Sequence, residues 1–588
     1  MLMTPWGEHL DENCILTEYP RPQMRRNSYL NLNGRWEYAI TDSDESPRRW
    51  DGTILVPFSP ESALSGVGRS LQPGQALWYR REVIVPQGFI PADGRLLLHF
   101  GAVDQEAAVY WNGRLLGRHM GGYNAFTLDA TDALGPRNSL VVRVHDDTDA
   151  SFHSRGKQKT RRGGIWYTPQ SGIWQTVWME AVPRHYIESL RIVPLFDQSA
   201  VEVMVRCSQP LQCEATVDGR TVPFTSGEPA RIPMPDFRAW SPEDPYLYDL
   251  SVTLGEDRVE SYFGMRKMEV RADRGGVKRL FLNGEPYFQS GLLDQGYWPD
   301  GLYTAPSDEA LIYDIQTAKA MGFNLLRKHI KVEPMRWYYH CDRLRMLVWQ
   351  DMPSGGGKYR FSTITLPLVT GIHRRDNHYR AFARASSQGR GEYMDELEEM
   401  VGQLFNAPSV VLWVPFNEGW GQFDSTLVME RLRAPDGCPW DREQTHESLL
   451  PSLLEESYEY IQAVRDGDID HMYDELGDVL LQVVFHAEVA RQHGDFDLHD
   501  VTTAICHKMI ERHTHIFGTE KADTAGQVLD NWEALKRRQR GITTHAQAME
   551  DVSTGLSPLL RASKVQNKAH KVGFDFAGAS EALSKVYE

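Results

Sequence analysis

Residues 453–478 read LLEESYEYIQAVRDGDIDHMYDELGD, and five of their carboxylates fall at helical spacing. In the first half, two glutamates lie three and four residues before a third, which places all three on one face of a helix. In the second half, a glutamate and an aspartate lie three residues apart. The intervening DGD turn favours two antiparallel helices whose acidic faces converge. The five residues are Glu455, Glu456, Glu459, Glu475 and Asp478.

This acidic cluster has little to neutralise it, because Arg465 is the only Lys or Arg in the stretch. A hard divalent cation bound by oxygen ligands would offset the repulsion, and Mg²⁺ held by carboxylates and substrate phosphates is the common arrangement. We therefore predict a Mg²⁺ site formed by Glu456, Glu459, Glu475 and Asp478. The alternative is a solvated acidic face, but such faces usually interleave Lys or Arg with the acids.

Longer stretches around these helices resemble the MazG family, all-α nucleoside triphosphate pyrophosphohydrolases. The resemblance runs from about residue 429 to 576 and includes LRAPDGCPWDREQTHESLL, DELGDVLLQVVFHAEVARQ and NWEALKRRQR. It implies Mg²⁺-dependent cleavage of a nucleoside triphosphate to a monophosphate and pyrophosphate, in a homodimer of helical bundles. It also implies that the five acids are catalytic and that Arg512, Trp532 and Lys536 contact the nucleotide.

The first 428 residues show a different pattern, of short strands followed by alternating strands and helices. WYRREVIVP, RLLLHF and AAVYWNGRLLG are strand-like runs, and Asn112-Gly113 favours a hairpin turn. From about residue 271, the apolar runs FNLLRKH, MLVWQDMP and SVVLWVPFNEGW are typical of buried parallel strands. Alternation of such strands with helical segments indicates a barrel or a doubly wound sheet.

Several of these motifs resemble glycoside hydrolase family 2, which includes β-galactosidases, β-glucuronidases and β-mannosidases. The resemblance covers roughly residues 15–425 and includes GIWYTPQSGIWQTVWME, GFNLLRKHIKVEP and VVLWVPFNEGW. It implies that Glu418 is a general acid/base and that Asn417 and Arg327 contact a sugar. A carboxylate that directly follows a buried strand also stands where a barrel carries its active site.

A retaining glycosidase needs a second carboxylate about 5 Å from the first. Residues 271–428 are fewer than the ~250 of a typical (β/α)8 barrel, and we count about four strands in them. We therefore predict a truncated barrel that lacks its nucleophile and is inactive as a glycosidase. Two alternatives stay open, a glycosidase that acts through Glu418 and a carbohydrate-binding protein without catalysis.

Together the two resemblances imply a multidomain fold: an all-β jelly roll and an immunoglobulin-like sandwich, then a partial (β/α)8 barrel, then an all-α helical bundle. The abrupt change of pattern at Met429 also leaves open a fusion of two unrelated genes, natural or introduced in sequence assembly. The predicted domains are the jelly roll at 1–185, the sandwich at 186–270, the truncated barrel at 271–428, the MazG-like domain at 429–540 and a tail at 541–588.

Composition argues against several classes of function. A formal net charge of −17 disfavours nucleic acid as the main partner. Neither a secretory signal nor a membrane-spanning run is evident, so we expect a cytoplasmic protein without a membrane partner. The six cysteines contain no CxxC pair, and SGGGK at 354–358 lacks the phosphate-loop pattern. The expected ligands are a nucleoside triphosphate and, as a second class, a carbohydrate.

Overall fold

A computed structural model provides the structure of the chain, which forms two compact units, residues 1–489 and 490–588. The structure describes residues 2–272, 278–360, 363, 376–417, 419–432, 446, 453, 457, 458, 460–462, 464, 465, 469–512, 524, 527, 535, 542, 544–553, 558–570, 573, 578 and 581.

Two antiparallel sheets pack face to face in the N-terminal region. Trp36 and Val142 from the larger sheet and Leu98 and Met179 from the smaller one share a buried core. The strand Asn138–His145 alternates buried and half-buried residues, as expected when one face meets a core. The larger sheet has the order β3 (Gly52–Val56), β2 (Gly34–Thr41), β4 (Ala76–Val83), β10 (Asn138–His145), β7 (Glu106–Trp111), β8 (Arg114–Met120). The smaller sheet has the order β1 (Leu30–Asn31), β12 (Val177–Val182), β5 (Arg95–Phe100), β9 (Phe126–Asp129). A separate short pair joins β6 (Val103–Asp104) and β11 (Gly172–Ile173).

A second β-sandwich follows, with three strands facing four. Its core contains Val203 from the smaller sheet and Val217 and Val252 from the larger one. Burial again alternates along the strand Tyr248–Leu254, so the polar face of that strand points away from the core. The sheets have the orders β13 (Ser189–Leu195), β14 (Ala200–Arg206), β17 (Ala230–Pro233) and β16 (Arg220–Thr225), β15 (Gln212–Val217), β18 (Tyr248–Leu254), β19 (Asp257–Phe263).

Four parallel strands form the next layer, which follows a small antiparallel sheet. Leu326, Val348 and Val410 of these strands belong to a buried cluster with helix residues such as Trp337 and Leu397. Parallel strands covered by helices are the arrangement of a βα fold. The small sheet contains β20 (Met268–Ala272), β21 (Lys278–Leu282) and β22 (Glu285–Pro286), and the parallel sheet has the order β23 (Gly291–Asp294), β24 (Leu325–Lys328), β25 (Leu347–Asp351), β26 (Val410–Val414).

Most helices follow the start of the parallel sheet. Ser307 caps the second helix, because its side chain accepts a hydrogen bond from the Ala310 amide. None of the helices that the structure describes has both the length and the apolar character that a bilayer crossing requires. The α-helices are α1 (Pro5–Glu8), α2 (Asp308–Ala320), α3 (Met335–Leu344), α4 (Ser387–Leu404), α5 (Ser425–Leu432), α6 (Ile469–His493), α7 (Leu498–Arg512), α8 (His545–Glu550) and α9 (Pro558–His570), and short 3₁₀ helices cover Pro22–Met24, Thr131–Ala133, Thr148–Ala150 and Phe196–Gln198.

The β-rich multidomain character of the N-terminal region is confirmed. Across the described ranges the four parallel strands do not close into a barrel, as the predicted truncation requires. Along α6, Val484 is buried whereas Leu480 is half exposed. The all-α bundle at 429–540 and the domain boundaries stay predictions.

Gly172, in β11, provides a test of the first sandwich. Its φ is +79°, and a Cβ there would overlap the hydroxyl oxygen of Tyr79. Gly113 has the same φ of +79°, but a Cβ there meets no heavy atom within 4 Å. Gly172→Ala should therefore lower the free energy of unfolding by about 2 kcal/mol more than Gly113→Ala in a urea titration. Equal losses in the two variants would contradict this packing.

Candidate functional site

Polar side chains meet at the carboxyl ends of the parallel strands. Arg327 donates from Nε to Asp351 Oδ1 at 2.9 Å and from a terminal nitrogen to Asn417 Oδ1, also at 2.9 Å. His329 Nδ1 lies 3.0 Å from the other carboxylate oxygen of Asp351. Asp351 is buried, and these two partners compensate its burial. The structure thus brings together Arg327 and Asn417, whose sugar-binding role stays a prediction.

A second charged network lies on the same strand ends. Lys328 Nζ lies 2.8 Å from Asp294 and 2.9 Å from Glu333, and Lys331 Nζ lies 2.8 Å from Glu333. Burial lowers the pKa of Lys331 to about 8, although Glu333 opposes the shift. Asp294, Glu333 and Asp351 are therefore each engaged in an ion pair. A neighbouring cation favours the ionised form of a carboxylate, so these pairs stabilise the three charges at the strand ends.

Three aromatic rings stand beside this strand edge; we call Trp166, Tyr359 and Trp420 the aromatic wall. Their ring centroids lie 5.1 Å apart for Trp166 and Trp420, 5.3 Å for Tyr359 and Trp420, and 6.2 Å for Trp166 and Tyr359. All three rings are half-buried, so part of each surface is accessible. Lys159 Nζ lies 4.9 Å from the Trp166 centroid, which adds a cationic donor. Aromatic faces with a few polar groups are typical of small-molecule sites.

Glu396, on α4, is a buried acid that the sequence did not single out. Burial raises its pKa from an ordinary value of 4.5 to about 8, and Ser154 and Arg384 only partly offset this. Arg384 is itself buried, and its guanidinium lies 4.4 Å from the Tyr393 ring centroid. A carboxyl group in such surroundings is held in its neutral form near pH 7.

The remaining predicted site residues cannot be placed at this edge. Glu475 and Asp478 lie on α6 and Arg512 ends α7, but the positions of their side chains are outside the described part. Among the described residues, no group of three or more His, Cys, Asp or Glu side chains could hold a metal ion. The Mg²⁺ site therefore stays a prediction. Residues wholly outside the described ranges are Glu418, Glu455, Glu456, Glu459, Trp532 and Lys536.

Sequence reasoning missed Asp351, His329 and the aromatic wall. A usable signal existed for Asp351, because it ends the apolar run MLVWQD as Asn417 follows the run VVLWVPF. No comparable signal existed for the aromatic wall. Trp166 belongs to a loop of the first sandwich, far along the chain from Trp420.

Two known families match separate parts of the chain. Residues 444–517 match the MazG nucleotide pyrophosphohydrolase domain, and residues 197–266 match glycosyl hydrolases family 2. A nucleoside triphosphate pyrophosphohydrolase of Escherichia coli (strain K12) is 41% identical over 169 residues, which are 28% of this chain and 64% of the relative. The chain is therefore composite.

The N-terminal region is similar to β-glucuronidases. A putative beta-glucuronidase of Formosa agariphila is 25% identical over 441 residues, which are 68% of this chain and 47% of the relative. The solved Ruminococcus gnavus beta-glucuronidase superposes with a TM-score of 0.56 at 18% identity, covering 68% of this chain and 69% of that one. This second likeness supports the fold alone. The chain spans less than two thirds of the length of both curated relatives.

The buried carboxyl of Glu396 predicts a pH effect. In the folded chain the pKa of the Glu396 carboxyl is about 8, above its ordinary value of 4.5. Between pH 4.5 and 8 the native chain therefore keeps a proton that the unfolded chain has lost. The free energy of unfolding should therefore fall as pH rises through this window, by up to about 1.4 kcal/mol per pH unit. Glu396→Gln should lose less stability from pH 5 to 8 in urea titrations.

Glu398→Gln, at an exposed position of the same helix, is the matched control. It should reproduce the pH slope of the wild-type chain. Identical slopes for Glu396→Gln and the wild-type chain would contradict the assignment of a neutral carboxyl at position 396.

Proposed function

Because the chain joins a glycoside hydrolase family 2 segment to a MazG segment, we propose that its C-terminal part hydrolyses nucleoside triphosphates to monophosphates and pyrophosphate with Mg²⁺. One observation carries the proposal: the MazG match at 444–517 spans all five acids of the two predicted helices. The relative with 41% identity is named a nucleoside triphosphate pyrophosphohydrolase, which supports the same reaction.

The predicted metal ligands suit this chemistry. Glu456, Glu459, Glu475 and Asp478 supply carboxylate oxygens alone, which fits a hard cation such as Mg²⁺. When bound, Mg²⁺ would offset the negative charge of the phosphates and of the leaving pyrophosphate.

The chain's own side chains would then direct the reaction. Glu455, or Glu456 if it is not a ligand, would accept a proton from water while the water oxygen bonds to the α-phosphorus. The bond from the α-phosphorus to the oxygen that bridges the β-phosphate breaks, and its electron pair leaves with pyrophosphate. Arg512 and Lys536 would pair with phosphate oxygens. Trp532 would contact the nucleotide.

The assembly and location follow from the same proposal. We expect a homodimer formed through the helical domain. We also expect a cytoplasmic protein, because nucleoside triphosphates are cytoplasmic substrates. We expect neither a membrane nor a nucleic acid among its partners.

A pyrophosphate-release assay with a panel of nucleoside triphosphates tests this function. The wild-type chain should release pyrophosphate when Mg²⁺ is present and should stop when it is chelated. Glu459→Gln should lower kcat by about 100-fold or more, because it removes a ligand oxygen charge. Glu214→Gln, at an exposed position of the second sandwich, is the control and should retain the wild-type rate. No release by the wild-type chain, or equal release by Glu459→Gln, would refute the proposal.

A second candidate function is carbohydrate binding without turnover. The aromatic wall and the Arg327–Asn417 pair favour it, since they supply ring surfaces and polar groups at one strand edge. Hydrolysis is disfavoured because the described parallel sheet has four strands, half of a barrel, and the predicted truncation removes the nucleophile. We propose that Glu418 has no second carboxylate with which to act.

Titration with nitrophenyl β-glycosides, followed by calorimetry and absorbance, tests this candidate. Trp420→Ala should weaken glycoside binding by about tenfold, because it removes one stacking surface. Tyr313→Ala, at an aromatic residue that is 54% exposed on α2, should leave binding unchanged. Release of nitrophenol by the wild-type chain that disappears in Glu418→Gln would instead establish a glycosidase.

A further inference from the structure

The two outer strands of the parallel sheet differ in exposure: three of the four positions of β23 are exposed, whereas the positions of β26 are buried or half-buried. The sheet has the order β23-β24-β25-β26, so β23 and β26 are its outer strands. Within the described ranges, neither strand pairs with another strand on its outer side. Burial decreases toward the edge formed by β23: β25 is buried at four of five positions, whereas three of the four positions of β23 are exposed. An unpaired strand edge presents main-chain donors and acceptors to any strand that can reach it.

Large apolar side chains are exposed on and beside the edge strand β23. Phe288 is 84% exposed, Leu293 is 52% exposed and Leu292 is 39% exposed. Parallel strands in folded proteins are normally buried on both faces and rich in aliphatic residues. Three large apolar side chains on and beside one edge strand therefore indicate a surface that another chain covers.

The two faces of the parallel sheet also differ in burial. Leu326 and Val348 are buried under the helices. Side chains alternate along a strand, so Arg327 and Trp349 lie on the opposite face, and both keep part of their surface exposed. In a closed (β/α)8 barrel this opposite face is the packed interior. On that face Leu325 and Leu347, two residues earlier, are buried against Trp240, Met268 and Leu282. The described chain thus presents half of a barrel whose interior face is open only toward the carboxyl ends of the strands.

We propose that a second copy of this chain closes the half barrel. Four parallel strands are half of the eight that a (β/α)8 barrel needs. A half-turn about the barrel axis keeps all eight strands parallel and places β23 of each copy beside β26 of the other. Both outer strands then gain a strand neighbour at once, which is the closed twofold symmetry most common among homodimers. The inference does not depend on hydrolysis of nucleoside triphosphates.

The closure has a consequence at the strand ends. Because all eight strands point the same way, their carboxyl ends share one rim. Each copy then contributes its Arg327–Asp351–Asn417 cluster and its aromatic wall to a common mouth. The apolar side chains of Leu292 and Leu293 leave solvent.

Sedimentation velocity of the full chain tests the interface. The wild-type chain should sediment as an assembly larger than a monomer: a dimer if the expected helical-domain contact shares this twofold axis, and a larger assembly if it does not. Leu293→Lys should weaken self-association at least about tenfold, because it places a charge at the pairing edge and leaves only the helical-domain contact. Ile84→Lys, at a position 84% exposed in the first sandwich, is the control and should sediment as the wild-type chain does. Far-UV circular dichroism should show that Leu293→Lys keeps its fold.

A cross-linking experiment separates this dimer from one formed elsewhere. The double variant Leu293→Cys/Val414→Cys is mixed from isotope-labelled and unlabelled chains and treated with a short thiol cross-linker. Mass spectrometry should identify mixed-label links between the peptides that carry positions 293 and 414. A monomeric wild-type chain would overturn the proposal. So would a dimer that Leu293→Lys leaves intact and that yields no 293–414 link between copies.

Discussion

A buried charge is costly unless an opposite charge compensates it or the group becomes neutral, and this constraint shapes the strand ends and underlies the prediction for the acidic segment 453–478. At the strand ends, buried Asp351 is held by Arg327 and His329, and Lys328 is held by Asp294 and Glu333. Removing one partner from such a pair leaves a charge that the protein interior cannot solvate. The same constraint, applied to the acidic helices, is the reason to expect a divalent cation.

The strand-end carboxylates and the acids between 453 and 478 differ in how their charge is compensated. The strand-end carboxylates are paired with lysine and arginine side chains of the same strand edge, which stabilises their charges without an added ion. The acids between 453 and 478 have one arginine among them in the sequence, which favours a divalent cation as the source of their compensation. This contrast is why we assign hydrolysis to the C-terminal part and, at most, binding to the N-terminal part.

Local patterns in the sequence predicted much of the N-terminal fold. The runs FNLLRKH, MLVWQDMP and VVLWVPF contain β24, β25 and β26, because buried parallel strands need apolar residues on both faces. Asn112 and Gly113 both adopt positive φ between β7 and β8, as a tight hairpin requires. The aromatic wall was beyond such reasoning, since Trp166 and Trp420 meet only after two domains have folded. The site acids were predicted from helical spacing, and their geometry lies outside the described residues.

The central claim is that water attacks the α-phosphorus of a nucleoside triphosphate at the acidic helices. The most direct measurement is to run the reaction in ¹⁸O-labelled water and locate the label by mass spectrometry. Attack at the α-phosphorus should leave one labelled oxygen in the nucleoside monophosphate and none in the pyrophosphate. Label in pyrophosphate, or release of labelled orthophosphate, would show attack at another phosphorus and would contradict the central claim.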